Sequence, residues 1–584
     1  MDNAKIDASL DLAIQLPEEE RSKSEALSTG FTERTGTWEV ILRIAGEVQR
    51  LRDAFPQASF TELSGGYVIG VIPQELLTTV ADNPIVIYME QPKRLDAGVA
   101  QGIRASCIWP LQQEITPAGI LSGRGVFVAI IDSGIDYFHP DFRNDDGTTR
   151  IAWLRDDGVT YSAAQINEAL AQPSRRQGLR VVPSQDPSGH GTHVAGIAAG
   201  NGRESDGSNR GVAYESELIV VKLGNQRPGG FPKTTQLMDA VEFVKDKAME
   251  AGRPVAINIS FGNNYGAHTG TSILETYLSQ VADQWQMSLV VGTGNEGSTE
   301  LHRQGRLPQT GTSAQGGNRA AAEEIELAVA AYESSLNLQL WKNYQDQMEI
   351  LLLAPDGSEV ARLSPTAQTQ KERVLSYRWQ DTNIHIFFGL PAPYTIYQEI
   401  YFSFLPRALY IDSGIWKLRL LPREIKNGAY ALWLPSGGVL NDTTGFLLPS
   451  EDTTMTIPAT ADKVITVGAY DSRRNQYAAF SGRGYTWDVN QIKPDLVAPG
   501  VDITSCRVGG GYTVRSGTSM ATPFVTGTAA LIMQWGIVNG NDPYAYGEKL
   551  KAYLLRGTQR LGQESIPSPK TGWGKLCAAD SLPL

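Results

Sequence analysis

The sequence predicts an α/β domain whose parallel sheet is covered by helices on both faces, preceded by a small α+β unit and interrupted by an antiparallel β-sandwich. Three observations predict it. After residue 120, unbroken Val/Ile runs alternate with amphipathic ones. Residues 37–91 carry a compact strand–helix rhythm of their own, and residues 318–450 switch to short, alternating, aromatic-rich segments separated by Pro, Gly and Asp. Parallel strands buried on both faces read as continuous apolar runs, whereas sandwich strands alternate.

TWEVILRI (37–44) alternates as a strand and EVQRLRDAF (47–55) has helical spacing. SFTELSGGYVIGVIP (59–73) reads as a strand pair bent at Gly65-Gly66. PQELLTTVADN (73–83) opens a helix with Pro and stops it with polar residues, and IVIYMEQ (85–91) closes as a strand. This β-α-β-β-α-β order is the split motif of ferredoxin-like domains. GVFVAIIDSG (125–134), ELIVVKLG (217–224), PVAINISFG (254–262) and MSLVVGTGN (287–295) are the buried strands, with TTQLMDAVEFVKDKAMEAG (234–252) and SILETYLSQVADQWQ (272–286) as helices between them. NIHIFFGL, EIYFSFL and GIWKLRLLP belong to the sandwich, after which TADKVITVGAY (460–470) resumes the α/β pattern. The expected domains are therefore 1–101, 102–317, 318–450 and 451–584, the third an insertion into one α/β domain. The insertion is expected to pack and stiffen, since its segments hold no cluster of Ser, His and Asp. Functional loops belong at the carboxyl ends of the parallel strands.

A net charge of −12 and a pI near 5.2 give no general attraction to phosphate backbones or anionic membranes, which argues against nucleic acid as a partner. The acidic start MDNAKIDASLDLAIQLPEEERSKSE has no apolar stretch behind a basic one, and no unbroken apolar run has spanning length. The expectation is a soluble chain with no membrane partner, retained inside the cell. Cys107, Cys506 and Cys577 are too few and scattered for a disulfide framework or zinc cluster and are expected to be core thiols.

Polar groups punctuate the α/β pattern at four places. AIIDSGID (129–136) ends a buried strand at Asp132, and PSGHGTHVAGIAAG (187–200) opens a Gly/Ala-rich helix at His190. VVGTGNEG (290–297) ends a strand at Asn295, and RSGTSMATP (515–523) opens an apolar helix at Ser519. A serine hydroxyl is a weak nucleophile that an imidazole can activate, and a buried carboxylate can orient that imidazole. The Asn295 amide and the Ser519 backbone N–H at a helix N-terminus suit a developing oxyanion. Glycines beside His190 and Asn295, among them Gly292 and Gly294, let a substrate backbone approach. His193, one turn beyond His190, has no third ligand at metal spacing and is expected to be structural.

In this order the motifs AIIDSGID, GHGTHVAG, GTGNEG and SGTSMATP resemble those of the subtilisin family of serine endopeptidases. The resemblance implies a subtilisin-like fold, Asp132, His190 and Ser519 as the triad and Asn295 as the oxyanion donor. It also makes NISFG (258–262) the cleft strand, with Ser260, Phe261 and Gly262 flanking the residue before the scissile bond. No cofactor is implied, and calcium is the one metal left open. Asp141 in HPDF matches a calcium position of some subtilisins, but the loop NGRESDGSNRG (201–211) does not match the usual companion loop. The N-terminal unit resembles a subtilase prodomain, both chaperone and inhibitor. PKRLDAGVAQGIRASC (92–107) and the sandwich with LWKNYQD (340–346) are similar to clostridial germination proteases of the Csp type, which carry a jelly-roll insertion and include pseudoproteases lacking triad residues.

The resemblance implies a self-processing zymogen acting on protein substrates, monomeric, in the cytoplasm or spore compartment of a bacterium or outside after release, with its cleaved prodomain still bound. PKRLDAGVAQGIRAS is expected to lie extended across a cleft and to be cut at Gln101–Gly102, since Pro92 disfavours a cut after Gln91. The alternative is a regulatory binding protein whose triad is masked.

Overall fold

The computed structural model describes residues 5–21, 28–92, 98–113, 116–224, 232–309, 322–365, 374–390, 395–436 and 438–583. It divides into two compact units, 1–96 and 97–584.

The first unit has a five-stranded sheet in which Thr37–Ile44 pairs antiparallel with both Tyr67–Pro73 and Val86–Glu90. Alternation along that strand buries Trp38, Val40, Leu42 and Ile44 against Leu51, Leu77 and Val80 from the two expected helices. A further helix, Ala8–Gln15, adds Leu10 and Ala13 to the same core.

In the second unit, strands β1 (Phe127–Asp132), β2 (Ile151–Asp156), β3 (Glu217–Lys222), β4 (Val255–Ile259), β5 (Met287–Gly292), β6 (Ile465–Asp471) and β7 (Leu496–Pro499) form a parallel sheet in the order β7-β6-β5-β4-β1-β3-β2, with short antiparallel strands at its edges. β1, β4 and β5 are buried throughout. Helices α1 (His190–Ala199) and α4 (Thr518–Met533) share one apolar core with the sheet, and α2 (Thr234–Glu250) and α3 (Ile273–Val281) share another. α4 and the turn that continues it to Val538 are long and apolar enough to cross a membrane, but they are packed inside the protein. β1 lies between β4 and β3, where the strand order reverses, and such switch points open a crevice at the strands' carboxyl ends. Asp132 is the last residue of β1.

The insertion is a sandwich of two antiparallel sheets, one running from His302–Arg306 to Val374–Trp379 and the other from Glu359–Leu363 to Gly445–Phe446. It therefore starts before residue 318, because His302–Arg306 pairs with Ala429–Trp433. Leu340, Ile350, Phe402, Trp416 and Leu418 fill the space between the sheets.

Two expectations change. Residues 98–105 form a helix, where an extended stretch was expected, and a Cβ on Gly102 would stand 2.2 Å from the Phe524 ring of α4. The glycine is there for close packing. Cys107 and Cys577 are joined in a disulfide spanning 470 positions, a proximity that spacing alone does not show. Cys506 is the buried thiol expected.

Candidate active site

Helix α1 carries His190 at its first position. It packs tightly on the turn after β1: a Cβ on Gly191 would fall 2.1 Å from the Gly134 carbonyl and 3.1 Å from the Asp132 side chain. Only glycine permits that approach, and it brings His190 Nδ1 to 2.7 Å from Asp132 Oδ1. The same oxygen accepts the Ser133 N–H at 2.7 Å. Asp132 is fully buried, while His190 keeps 24% of its side chain exposed, so the ring still reaches the cleft. Burial works against charging the imidazole, but the adjacent carboxylate, by charge and hydrogen bond, outweighs it and raises the pKa above the ordinary histidine value.

Gly517 starts α4 from φ 152°, a backbone region nearly reserved for glycine. This turn sets Thr518 and Ser519 in the first helical turn, where amides lack partners one turn back. Asn295, just past β5, accepts the Thr518 N–H on Oδ1 at 3.0 Å. With Oδ1 committed to the helix, Nδ2 is the group left to meet an oxyanion. Asn295→Ala is expected to fold normally and to lose roughly 10²- to 10³-fold in kcat, the usual effect of removing one oxyanion donor. A change confined to KM would make Asn295 a binding group.

Ser519 and Asn295 line a cavity of about 210 Å³ with Ser260, Phe261, Gly262, Gly292, Gly294, Glu296, Ser436, Thr456 and Thr518. The Phe261 ring lies 6.3 Å from that of His190. The structure thus gathers the sequence-predicted site residues around one cleft, apart from Gln101 and Gly102. Those two sit within the helix Gly98–Ala105, where Gln101 accepts a hydrogen bond from Arg473 at 3.1 Å. His193 is buried, with Nε2 3.1 Å from the carbonyls of Ile503 and Thr513, and burial lowers its pKa to about 4. It anchors the hairpin leading to Ser519.

Sequence reasoning missed Asp186. Its buried carboxylate accepts the N–H groups of Gly189 and Thr192 and the hydroxyls of Ser133 and Thr192, all within 2.9 Å. It fixes the entry to α1 and the turn after Asp132 at once. The available signal was an Asp shortly before a helix start, in capping range. Asp186→Ala is expected to lower kcat more than it raises KM, and to cost about 1.5–3 kcal/mol of stability for the lost charged hydrogen bonds. Steady-state kinetics beside thermal unfolding checks this, with Asp186→Asn recovering part of both.

The residues around Asp141 do not fit calcium. Its Oδ1 accepts the Glu204 N–H, and its Oδ2 accepts the Tyr512 hydroxyl and the Cys506 thiol. His139 and Cys506 complete the buried cluster, whereas calcium takes six to eight oxygen ligands.

Comparison with known proteins agrees with this architecture. The subtilase family model matches residues 123–383 and 441–574, and the Csp protease B prodomain model matches residues 4–93. The solved CspB protease of Clostridium perfringens is 35% identical, with a TM-score of 0.75 over 82% of this chain and 96% of that one. The PIII-type proteinase of Lactococcus lactis subsp. cremoris is 26% identical over 74% of this chain and 23% of its own length. The minor extracellular protease Vpr of Bacillus subtilis is 26% identical over 71% of this chain and 46% of its own length. The chain thus spans under half the length of these two curated relatives. With the family model matching well over half of its residues, the chain belongs to the subtilase family of subtilisin-like serine endopeptidases and carries a CspB-type prodomain.

Proposed function

We propose that the protein hydrolyses peptide bonds in protein substrates through an acyl-enzyme. His190 Nε2 takes the proton of Ser519 as its oxygen attacks the carbonyl and later gives that proton to the leaving amine. Asp132 holds the Nδ1–H tautomer and stabilises the imidazolium, while Asn295 Nδ2 and the Ser519 N–H receive the oxyanion. The observation that carries this reading is the 2.7 Å contact of His190 with a buried Asp132, beside Phe261, which lines the same cavity as Ser519 and Asn295.

The chain is made as a zymogen that cuts itself, and the freed prodomain stays bound as an inhibitor. A cut at Gln101–Gly102, the bond expected from the sequence, requires the helix Gly98–Ala105 to unwind, which favours a processing bond nearer Glu90, where the last prodomain strand ends. The motif resemblance to Csp-type germination proteases makes another protein zymogen, cut during spore germination, the substrate we propose. Titration of the processed protein with a fluorophosphonate tests the chemistry: labelling that requires Ser519 is expected. No labelling would favour a masked, regulatory binding protein.

A further inference from the structure

The cavity beside Ser519 has a wall that the subtilase domain does not supply. Ser436, in the loop after the sandwich strand Ala429–Trp433, lines it together with Ser260, Asn295 and Glu296. Thr456, on the segment returning from the sandwich, closes the space between the two cleft walls. A Cβ on Gly262 would stand 2.2 Å from Thr456 Oγ1, and one on Gly294 would stand 2.6 Å from its side chain. The backbone stitches the same segment to both sides: Thr456 N donates to Thr293 O at 2.9 Å, and Ile457 N to Asn263 O at 2.8 Å.

The sandwich also grips the loop that follows the cleft strand. Asn264 Nδ2 donates to Leu434 O at 3.2 Å, Gly266 N donates to Gln339 Oε1 at 3.0 Å, and His268 stacks on Trp433 with ring centroids 4.2 Å apart. Ser436 is thus held two residues beyond Leu434, whose carbonyl is bonded to Asn264 in the cleft strand's own loop. The insertion was expected only to pack; its position gives it a face on the substrate.

Resting on the endopeptidase reading, we propose that Ser436 of the inserted sandwich is a specificity-determining residue that touches the substrate side chain preceding the scissile bond. The cavity wall offers the hydroxyls of Ser436 and Thr456 and the Glu296 carboxylate, with Phe261 as the large apolar group. Hydroxyl and carboxylate oxygens accept hydrogen bonds, so the pocket takes a long side chain ending in N–H donors. An uncharged amide or a cation supplies that chemistry, and an aliphatic side chain of similar length leaves the wall unpaired.

The test uses the full-length processed enzyme and four peptides differing only before the cleaved bond, which carries Gln, Lys, Leu or Ala. Wild type is expected to favour Gln or Lys over Leu, and the ratio of those two peptides tells amide from cation. Ser436→Ala is expected to shrink the preference over Leu by roughly two- to tenfold, the worth of one hydrogen bond. Ser436→Leu is expected to slow the three long side chains more than Ala. Thermal unfolding run alongside confirms that both variants are folded. Active variants that keep the wild-type ratios overturn this inference alone. Wild-type protein that neither cleaves nor reacts with a fluorophosphonate overturns the endopeptidase reading, and this inference with it.

Discussion

Replacing Ser519 by alanine is expected to lower peptide-bond hydrolysis by on the order of 10⁶ in kcat, the scale on which a triad nucleophile acts as part of a unit. The substitution removes one oxygen from the first turn of α4 and leaves what positions that turn: Gly517 at φ 152° and the Thr518 N–H bonded to Asn295. Folding and thermal stability should therefore stay close to wild type, and loss of activity would mean loss of chemistry. The same variant reports on maturation. Wild-type protein is expected to yield a large fragment whose N-terminus lies between residues 91 and 98, and Ser519→Ala to remain one uncut chain. N-terminal sequencing of both proteins decides the matter. A variant cut at the wild-type bond would assign processing to another protease, and unchanged peptidase activity would remove the mechanism.

The sequence made most of this site legible because its chemistry lies where local structure changes. Asp132 ends a run of buried apolar residues, His190 and Ser519 begin helices, and Asn295 sits between glycines at a strand end. Each transition needs a glycine for a physical reason, Gly191 for the close approach of the turn after β1 and Gly517 for its φ of 152°, so geometry leaves a mark on local composition. What stayed hidden depends on contacts between distant segments. Asp186 reads as a turn residue until its carboxylate is seen to join the turn after β1 to the start of α1. Cys107 and Cys577 gave no pairing signal across 470 positions. The stretch 92–106 reads as extended, although residues 98–105 form a helix in which Gly102 is required by the close approach of Phe524. Ser436 is an ordinary loop serine whose role arises only from how the sandwich grips residues 264–268.

Asp132→Asn is expected to lower kcat by up to on the order of 10⁴, the loss reached where the replacement also imposes the wrong imidazole tautomer, and the structure says which part of the effect should dominate. Oδ1 receives the His190 Nδ1–H and the Ser133 N–H, while Oδ2 is buried with no hydrogen-bond donor against it among the described residues. An asparagine can place its carbonyl oxygen at the Oδ1 position and its NH₂ at the other, which keeps both hydrogen bonds and the His190 tautomer. The loss then comes mainly from the missing negative charge beside the imidazolium formed in the reaction. The wild-type carboxylate overcomes burial to raise the pKa of His190, so the acid limb of kcat/KM is expected above about 6.5, the ordinary histidine value. In Asp132→Asn, burial acts with only a neutral partner, and the limb should move below its wild-type position. Stability follows the same sign. The charged pair stabilises the wild type fully below the unfolded histidine pKa, and that contribution is lost as pH rises through the folded value, so the variant should be weakened most at the acid end. A pH series of kcat/KM and of thermal unfolding on both proteins measures the two shifts. An acid limb that stays in place while kcat falls would show that the carboxylate does not set the charge state of His190.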